Sequence, residues 1–262
     1  MLYSSVNFFP QSNITISDRG LAFGDGVFTT AYVQLGQVQW LAQHIERLGK
    51  SCQRLHITPP DFEQLTSHLK QVCAPFQRAT LKVVITAGSS GRGYARNHAN
   101  PANVIVTIND YPEHYDDWRA QGVHLGVANT RLGVNPSLAG IKHLNRLEQV
   151  LVRNELDNQA YDDLVVCDLN GFIIETSSCN LFWQIDSCWY TADLSSSGVN
   201  GLVRQRLLNG LGNVKIVRQT IEQLQQAHSM FICNALLQIA PVRQFLDTPL
   251  STTLSREIKE LF

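Results

Sequence analysis

Short β-rich runs alternate with segments of helical apolar spacing along almost the whole chain, and this alternation is typical of a mixed α/β (α+β) architecture. In the first half, the pattern predicts a strand at 27–33, a helix at 40–56, a helix opened by Pro59 and Pro60, and strands at 81–87 and 104–108. The run SSGRGYARNHANPAN lies between the last two strands and is too long for a simple connector. Loops of this kind are often functional.

A break in the pattern around Tyr111-Pro112 predicts a boundary between two domains. We expect a small N-terminal α/β domain over 1–112, an interdomain linker over 113–122 and a larger C-terminal domain over 123–262. In the C-terminal domain, the pattern predicts a strand at 123–128, a helix at 143–157, hairpins at 164–175 and 180–191, helices from about Gly201 and from Thr220, and a strand at 230–233.

The composition argues against several classes of protein. The formal net charge of −1 gives no field for nucleic acid or an anionic membrane, and no run approaches the ~20 apolar residues of a membrane span. The six cysteines form no CxxC pair and no metal-type spacing, so we expect reduced thiols and no metal site. The N-terminus lacks a secretory pattern. A cytoplasmic protein that acts on a small molecule is therefore the expectation.

Lys142 differs in its surroundings from the other five lysines of the chain. It follows Leu-Ala-Gly-Ile where a loop is predicted to meet a helix, so its amine could be partly desolvated. Desolvation makes the neutral, nucleophilic form of an amine available, which pyridoxal phosphate requires of its Schiff-base lysine. A lone lysine with apolar neighbours is, however, more often a side chain that simply extends to solvent.

Glu175 ends an apolar strand and is followed by small polar residues in GFIIETSSCNLF. A carboxylate at such a strand end can point into a cleft, where it would keep a pyridinium nitrogen protonated. The alternative is a glutamate that ends its strand in solvent.

A phosphate cradle is predicted where the glycines of SGVNGLVRQRLL precede a helix, because the free N–H groups of a helix N-terminus bind phosphate. Arg47 in HIERL could add a full positive charge, and Asn234 with Ala235 could close the cradle. The alternatives are an ordinary glycine-rich loop and a surface arginine paired with Glu46.

Together these segments resemble a known family. SDRGLAFGDGVFTT, HIERL, GIKHLNR, ETSSCNLF, GVNGLVR and ICNALLQIAPV occur in the order found in the fold-type IV pyridoxal-phosphate enzymes (aminotransferase class IV), over roughly 17–242. That family includes branched-chain aminotransferases, D-amino-acid transaminase and 4-amino-4-deoxychorismate lyase. GDGVFTT, SSGRGY and RLGVNPSLAGIKHLNRLEQVL look most like the bacterial lyases. The transaminases usually carry Tyr at the position of Phe28 and an acidic residue at Thr29, which argues against a generalist transaminase.

The resemblance implies a fold, an activity and a set of residue roles. The implied fold has a small N-terminal α/β domain and a larger domain with a barrel-like sheet, with the cofactor between them, in a homodimer whose partner completes the site. The implied activity is cleavage of 4-amino-4-deoxychorismate to 4-aminobenzoate and pyruvate, a step of folate biosynthesis. The implied cofactor residues are Lys142 as Schiff-base lysine and general acid/base, Glu175 at the pyridine nitrogen, and Arg47, Leu202, Val203, Asn234 and Ala235 around the phosphate.

The substrate carries two carboxylates, and arginine fits a carboxylate bidentately. Arg92 in the long polar loop and Arg131 before the lysine loop are therefore the candidate ligands, although either could be a plain surface arginine. Phe28 is expected in the wall of the substrate site. Thr29 and Thr30 could bond the substrate or relay a proton, but threonine is also at home in strands for structural reasons.

Three other functions remain open from the sequence. A transaminase on the same scaffold would carry out a second half-reaction with a keto acid and would need a pocket for an aliphatic side chain. A non-catalytic protein that stores or senses pyridoxal phosphate would bind the cofactor without turnover, although this chain keeps both Lys142 and Glu175. A plain α/β domain with chance matches would never acquire the absorbance of the cofactor.

Overall fold

The computed structural model describes residues 1–89, 91–97 and 100–262. Contacts between Cα atoms divide the chain into two compact units. Unit 1 consists of residues 1–112 and 142–145, and unit 2 consists of residues 113–141 and 146–262. The segment 113–122, predicted as a linker, belongs to unit 2 and contains a helix.

Unit 1 contains one antiparallel sheet and three helices among its described residues. The strands are β1 (Tyr3–Val6), β2 (Phe9–Pro10), β3 (Gly26–Gln34), β4 (Gln37–Val38), β5 (Arg78–Thr86) and β6 (Asn103–Asn109). The helices are α1 (Arg19–Phe23), α2 (Leu41–Arg54) and α3 (Phe62–Cys73). The strand order is β2-β1-β6-β5-β3-β4, and every neighbouring pair is antiparallel.

Strand β3 has two different faces, because successive side chains of a strand point to opposite sides. The side chains at positions 27, 29, 31 and 33 are buried, and those of Phe28, Thr30 and Tyr32 are half-buried. Helix α2 packs on β3 and buries Leu48 and Cys52. The strand predicted at 27–33 and the helix predicted at 40–56 are both confirmed.

The segment Lys142–Asn145 is separated in sequence from the rest of unit 1. It pairs with the beginning of β3 through an antiparallel bridge between Val27 and His143. The helix predicted over 143–157 therefore begins only at Leu147, because the residues before it are engaged in this pairing. Lys142 was predicted to lie where a loop meets a helix, and this prediction was wrong because the helix begins only at Leu147.

Unit 2 contains a mixed sheet and five helices among its described residues. The strands are β7 (Val123–Val127), β8 (Asp163–Cys167), β9 (Ile173–Thr176), β10 (Asn180–Ile185), β11 (Cys188–Ala192), β12 (Val214–Val217), β13 (Ser229–Asn234), β14 (Gln238–Phe245) and β15 (Thr248–Pro249). The helices are α4 (His114–Gln121), α5 (Leu147–Leu156), α6 (Leu202–Gly210), α7 (Ile221–Leu224) and α8 (Arg256–Lys259).

The sheet of unit 2 curls on itself. Its main path runs β12-β11-β10-β13-β14-β7-β8-β9, with β15 paired to β14. Strand β9 at one end of this path also lies close to β10 and β11. The inner side chains include Phe182 and Phe231, which are fully buried and stack with ring centres 4.8 Å apart. The mixed fold with a barrel-like second sheet is thus confirmed.

Local signals at the ends of elements agree with the sequence in several places. Thr220 and Gln223 form the capping box at the start of α7, and Gly171 takes a φ of 83° in the turn between β8 and β9. Of the helices in the described ranges, none has the length and apolar character needed to cross a bilayer.

Candidate functional site

Lys142 is placed by backbone pairing at the edge of β3. Its carbonyl accepts the N–H of Phe28 at 2.9 Å, and the N–H of Leu144 donates to the carbonyl of Gly26 at 3.0 Å. The Nζ atom lies 4.7 Å from the centre of the Phe28 ring, and the side chain is half-buried. The amine therefore lies against an aromatic ring on one defined face of the sheet of unit 1.

Thr29 and Thr30 lie on opposite faces of β3. Thr29 is only 1% exposed, and its hydroxyl contacts Nδ1 of His44 on α2 at 2.6 Å. Thr30 shares the face of Phe28 and is half-buried. The structure thus brings Thr30 to the face that carries Phe28 and Lys142, and it places the Thr29 hydroxyl in the packing between β3 and α2.

Arg47 lies one helical turn beyond His44 on α2 and is half-buried. Burial lowers its pKa to about 10, so the guanidinium remains charged at neutral pH. Burial together with the charge of Arg47 lowers the pKa of His44 to about 3. His44 is therefore neutral, whereas Arg47 carries a positive charge.

Glu175 lies in β9 with 6% of its surface exposed. Its Oε2 atom accepts the N–H of Val199 at 2.8 Å. Arg146 is a nearby cation: burial lowers the pKa of Arg146, and the negative charges of Glu175 and Glu148 oppose that shift. A buried carboxylate with a backbone donor and a neighbouring guanidinium is suited to meeting a cationic nitrogen.

The segment Gly198–Gly201 is hydrogen-bonded on several sides. Gly140 donates its N–H to the carbonyl of Gly198 at 2.9 Å and accepts the N–H of Asn200 at 3.2 Å. Gly198 has a φ of 78°, and a Cβ atom there would lie 2.4 Å from Cγ2 of Ile174 and 3.3 Å from Oε2 of Glu175. Glycine at this position therefore allows the chain to pass close to the glutamate.

Asn180 at the start of β10 holds the same segment from another side. Its Nδ2 donates to the carbonyl of Val199 at 2.9 Å, and its Oδ1 accepts the N–H of Gly201 at 3.1 Å. Arg204 on α6 is 4% exposed and donates to Oδ1 of Asn200 at 3.0 Å and to the carbonyl of Ala192 at 2.8 Å. Sequence reasoning missed both residues, although Asn180 stands inside the quoted ETSSCNLF motif.

The predicted phosphate cradle coincides with the N-terminus of α6. Gly201 is the N-cap, no side chain caps the helix, and the first turn contains no acidic residue. Backbone N–H groups in a first helical turn have no acceptor within the helix, and the dipole makes this end positive. Leu202 and Val203 are the first residues of α6, so the structure places them where an anion can bind.

Asn234 at the end of β13 uses its side chain within the protein. Its Oδ1 accepts the N–H groups of Leu236 and Leu237 at 2.8 Å each, and its Nδ2 lies 3.1 Å from Sγ of Cys179. The side chain thereby shapes the turn that contains Ala235. The structure therefore favours an indirect contribution of Asn234 to a cradle over direct contact between its amide and a phosphate.

The two candidate arginines for substrate binding belong to different units. Arg92 is exposed on a turn of unit 1 in which the N–H of Ala95 donates to the Arg92 carbonyl at 3.3 Å. Arg131 is exposed in unit 2 near Cys167. Burial raises the pKa of the Cys167 thiol, and the positive charge of Arg131 offsets part of that shift. Ser90 of the SSGRGY motif, with His98 and Ala99 of the same loop, lies outside the described residues.

A cluster of three charged residues in unit 1 escaped the sequence reasoning. Asp25, Arg19 and Arg96 form an ion-paired group next to the loop that carries Arg92. In SDRGLAFGDG, Arg19 begins a short helix and Asp25 follows its end, but no sequence pattern indicates that Arg96 joins them. In the part of the chain that is described, His, Cys, Asp and Glu form no group of three or more suited to a metal ion.

The described residues of each unit include groups of the kinds that pyridoxal phosphate requires. The set contains an amine at Lys142, a buried carboxylate at Glu175, a guanidinium at Arg47 and the open N-terminus of α6. Glycine at position 198 leaves the approach to Oε2 of Glu175 free of a side chain. An amine, an acid and an anion site are the three recognition elements that this cofactor needs.

The comparison with protein families agrees with this set of groups. The pattern of amino-transferase class IV matches residues 26–245, and the chain belongs to that family. The matched range includes Phe28, Arg47, Lys142, Glu175 and the α6 N-terminus.

Relatives within the family include both lyases and aminotransferases. An aminodeoxychorismate lyase of Vibrio harveyi is 36% identical over 241 residues, which cover 90% of this chain and 89% of that protein. A D-alanine aminotransferase of Bacillus licheniformis is 28% identical, with 87% of this chain and 82% of that protein covered. The crystal structure of the 4-amino-4-deoxychorismate lyase of Pseudomonas aeruginosa superimposes with a TM-score of 0.89 at 34% identity, covering 98% and 96% of the two chains. The branched-chain aminotransferase of Escherichia coli gives a TM-score of 0.87 at 20% identity, over 99% and 91%, and shares the fold.

Proposed function

We propose that the protein is a pyridoxal-phosphate-dependent lyase that cleaves 4-amino-4-deoxychorismate to 4-aminobenzoate and pyruvate, a step of folate biosynthesis. The observation that carries this proposal is the 36% identity with a protein of that activity over 90% of the chain. The amine of Lys142, the carboxylate of Glu175 and the helix N-terminus of α6 support it, because they supply the groups that the cofactor requires.

Each of these groups has one proposed task towards the cofactor. Lys142 would hold it covalently through Nζ, and the Glu175 carboxylate would hold a proton on the pyridine nitrogen. Arg47 and the backbone N–H groups of Leu202 and Val203 bind the phosphate, and Asn234 orients the turn of Ala235 beside it. When bound, pyridoxal phosphate supplies an electron-withdrawing ring that stabilises negative charge developing on the substrate.

The proton transfers are assigned to Lys142. In its neutral form and not bonded to the cofactor, the Nζ amine would remove the proton at C4 of the substrate ring. The enolpyruvyl group at C3 would then leave as enolpyruvate, which takes up a proton to become pyruvate. The substrate ring would become aromatic, which supplies much of the driving force. The residues are therefore required chiefly to orient the substrate and to keep one base within reach.

Substrate recognition is assigned to the aromatic and cationic candidates. Phe28 lies against the lysine amine and can pack on the substrate ring, and Thr30 is on the same face of β3. Arg92 and Arg131 are proposed to bind the substrate carboxylates through bidentate hydrogen bonds. Thr29 is left out of this assignment because its hydroxyl is buried against His44.

A class IV aminotransferase is the second candidate function, since D-alanine aminotransferases are also among the relatives. Phenylalanine at position 28 argues against it, because the transaminases that the sequence resembles usually carry tyrosine there. A non-catalytic protein that binds the cofactor is a third candidate. We also propose a cytoplasmic homodimer in which the partner subunit completes each site.

The proposal is tested by measuring pyruvate release and the fluorescence of the aromatic product with 4-amino-4-deoxychorismate. The wild type should turn over, and Lys142→Ala should lose at least ~10³-fold in kcat because base and covalent anchor are both removed. Lys50→Ala, which removes an exposed partner of Glu46, is the matched control and should be fully active. Turnover of D-alanine or leucine with conversion of the cofactor to its amine form would instead favour the transaminase, and cofactor binding without turnover would favour the storage protein.

A further inference from the structure

We infer that Asp25 is a positioning residue for substrate binding, because it joins Arg19 and Arg96 and thereby fixes the turn that presents Arg92. This inference rests on the proposed function, in which Arg92 binds a substrate carboxylate. The inference concerns Asp25, Arg19 and Arg96. None of these residues is assigned contact with substrate or cofactor.

The first part of this ion-paired cluster is formed at the short helix α1, which brings Arg19 and Asp25 together. Asp18 caps α1 by accepting the N–H of Gly20 at 2.7 Å, and Gly24 ends the helix with a φ of 63°. Arg19 is the first residue of this five-residue helix, and Asp25 follows its C-cap. The Nε atom of Arg19 donates to Oδ2 of Asp25 at 2.8 Å, and the two side chains are 5% and 9% exposed.

The remaining nitrogens of Arg19 reach the backbone of the loop. Nη1 donates to the carbonyls of Gly93 and Ala95 at 3.2 and 3.0 Å, and Nη2 donates to the carbonyl of Tyr94 at 3.0 Å. A buried guanidinium thereby satisfies three consecutive carbonyls that immediately follow Arg92. Because Asp25 holds Nε of the same guanidinium, its carboxylate sets the direction in which these donors point.

The second part of the cluster is Arg96, which lies on the loop and binds the same carboxylate of Asp25. Arg96 donates through Nε to Oδ2 of Asp25 at 2.9 Å and through Nη2 to Oδ1. Its Nη1 atom also donates to the carbonyls of Leu55 and His56 at 2.6 and 3.0 Å, beyond the end of α2. The loop is therefore fastened at both ends of the segment 93–96, with Asp25 common to both fastenings.

The geometry of the turn leaves Arg92 exposed next to this fastened segment. Gly91 has a φ of 84°, and a Cβ atom there would lie 1.8 Å from the carbonyl oxygen of Ala95. The chain therefore turns tightly at Gly91, and the Arg92 carbonyl accepts the N–H of Ala95 at 3.3 Å within the fastened turn. An arginine on a fixed turn loses less freedom on binding a carboxylate than one on a loose turn, which raises affinity for the substrate.

The test compares Asp25→Asn, Arg92→Ala and the double variant by steady-state kinetics with 4-amino-4-deoxychorismate. Asp25→Asn keeps the shape of the side chain and removes its charge. We expect KM to rise about tenfold in each single variant with kcat within about twofold, and we expect the double variant to resemble Arg92→Ala because both changes remove one interaction. Asp157→Asn removes the exposed ion pair with Arg153 and is the matched control, with unchanged KM.

Limited trypsin digestion supplies a readout that does not depend on turnover. We expect cleavage after Arg92 and Arg96 to be several-fold faster in Asp25→Asn than in the wild type and in Asp157→Asn. Arg96→Lys, which keeps the charge but loses the planar fork, should give an intermediate rate.

The possible results separate the inference from the proposed function. An inactive wild type overturns the proposed lyase. An active wild type in which Arg92→Ala raises KM but Asp25→Asn changes neither KM nor the cleavage rate overturns the inference alone. Additive effects in the double variant, or an unchanged KM in Arg92→Ala, also overturn it while the lyase activity stands.

Discussion

The two compact units hold their candidate residues by different kinds of contact. In unit 1, the loop 91–97 is held by charged side chains, since Arg19 and Arg96 meet on Asp25 and donate to backbone carbonyls. In unit 2, the segment Gly198–Gly201 is held mainly by uncharged groups, from Gly140 and Asn180. The first arrangement orders a loop through side-chain donors, and the second fixes backbone groups that are proposed to lie close to a cofactor.

Because the contacts differ in kind, different conditions should weaken the loop 91–97 and the segment Gly198–Gly201. Ion pairs depend on the protonation of the carboxylate, whereas amide hydrogen bonds do not titrate near neutral pH. The glycine-dependent packing of segment 198–201 depends instead on the absence of side-chain atoms. The two regions should therefore respond to different perturbations.

The largest effect is expected for Gly198→Ala in the segment Gly198–Gly201. The new Cβ would lie 2.4 Å from Cγ2 of Ile174 and 3.0 Å from Cδ2 of Leu194, and alanine disfavours a φ of 78°. We expect a loss of about 3 kcal/mol in the free energy of unfolding, measured by denaturant titration. Gly212→Ala is the control, because an added Cβ there meets no atom within 4 Å, and it should change stability little. Equal stabilities of the two variants would contradict the close approach at Gly198.

The next largest effect is the pH-dependent contribution of Asp25. Burial raises the pKa of Asp25, but hydrogen bonds and charges of Arg96 and Arg19 outweigh this and lower it below 3.8. A carboxyl with a lowered folded pKa stabilises the protein above its unfolded pKa and loses this contribution as the pH falls through the folded value. We expect Asp25→Asn to cost about 2 kcal/mol in the free energy of unfolding at pH 7.

That difference between wild type and Asp25→Asn should stay constant from neutral pH down to about pH 5 and shrink below pH 3.8. Denaturant titrations over this range provide the measurement, with Asp157→Asn as a surface control. A difference that grows as the pH falls would show that the assigned direction of the pKa shift is incorrect.

A smaller effect is expected when Asn180 is replaced by alanine. The change removes the bonds to the Val199 carbonyl and the Gly201 N–H, each worth about 1 kcal/mol. We expect the dissociation constant of pyridoxal phosphate, followed by absorbance and fluorescence, to rise about tenfold without a dependence on pH between 6 and 8. Asn158→Ala, which removes only an exposed bond to the Asn154 carbonyl, serves as control. Unaltered cofactor affinity in Asn180→Ala would mean that the segment keeps its position without this side chain.

The smallest effect is expected for Thr29→Val. The substitution nearly preserves volume and removes a buried hydroxyl contact with His44, which should lower the free energy of unfolding by about 1 kcal/mol. Because this hydroxyl lies on the face of β3 away from Phe28, kcat and KM should remain near the wild-type values. Thr30→Val, on the other face, is the informative partner, and a kinetic effect confined to Thr29→Val would reverse the assignment of faces.

The sequence predicted most elements because their apolar periodicity is strong and local. The strand at 27–33, the helix at 40–56 and the capping box at Thr220 all appear close to the predicted positions. The strands β12 and β14 were not predicted. Strand β12 has exposed or half-buried side chains throughout, so it shows no clean apolar alternation, and β14 contains Pro241, which normally argues against a strand.

The candidate site was only partly predictable because side-chain partners depend on tertiary pairing. Lys142 and Glu175 were predicted as site residues from motifs, but nothing local indicates that residues 142–145 pair with β3, more than a hundred positions earlier. Thr29 faces helix α2 because α2 packs on that side of β3. The side on which a helix packs is a tertiary property, so the local sequence does not indicate it. Asp25 and Arg96 are 71 positions apart, so their meeting leaves no periodic signal.

The pairing of Lys142–Asn145 with β3 limits where this polypeptide can be divided. A fragment ending at Pro112 would lack the four residues that cover the beginning of β3, and it would expose backbone N–H and C=O groups along that edge. Uncovered strand edges recruit other chains and promote aggregation. Expression of either half alone should therefore yield insoluble material, whereas co-expression of two fragments split inside an exposed turn such as Asn170-Gly171 keeps residues 1–145 on one polypeptide.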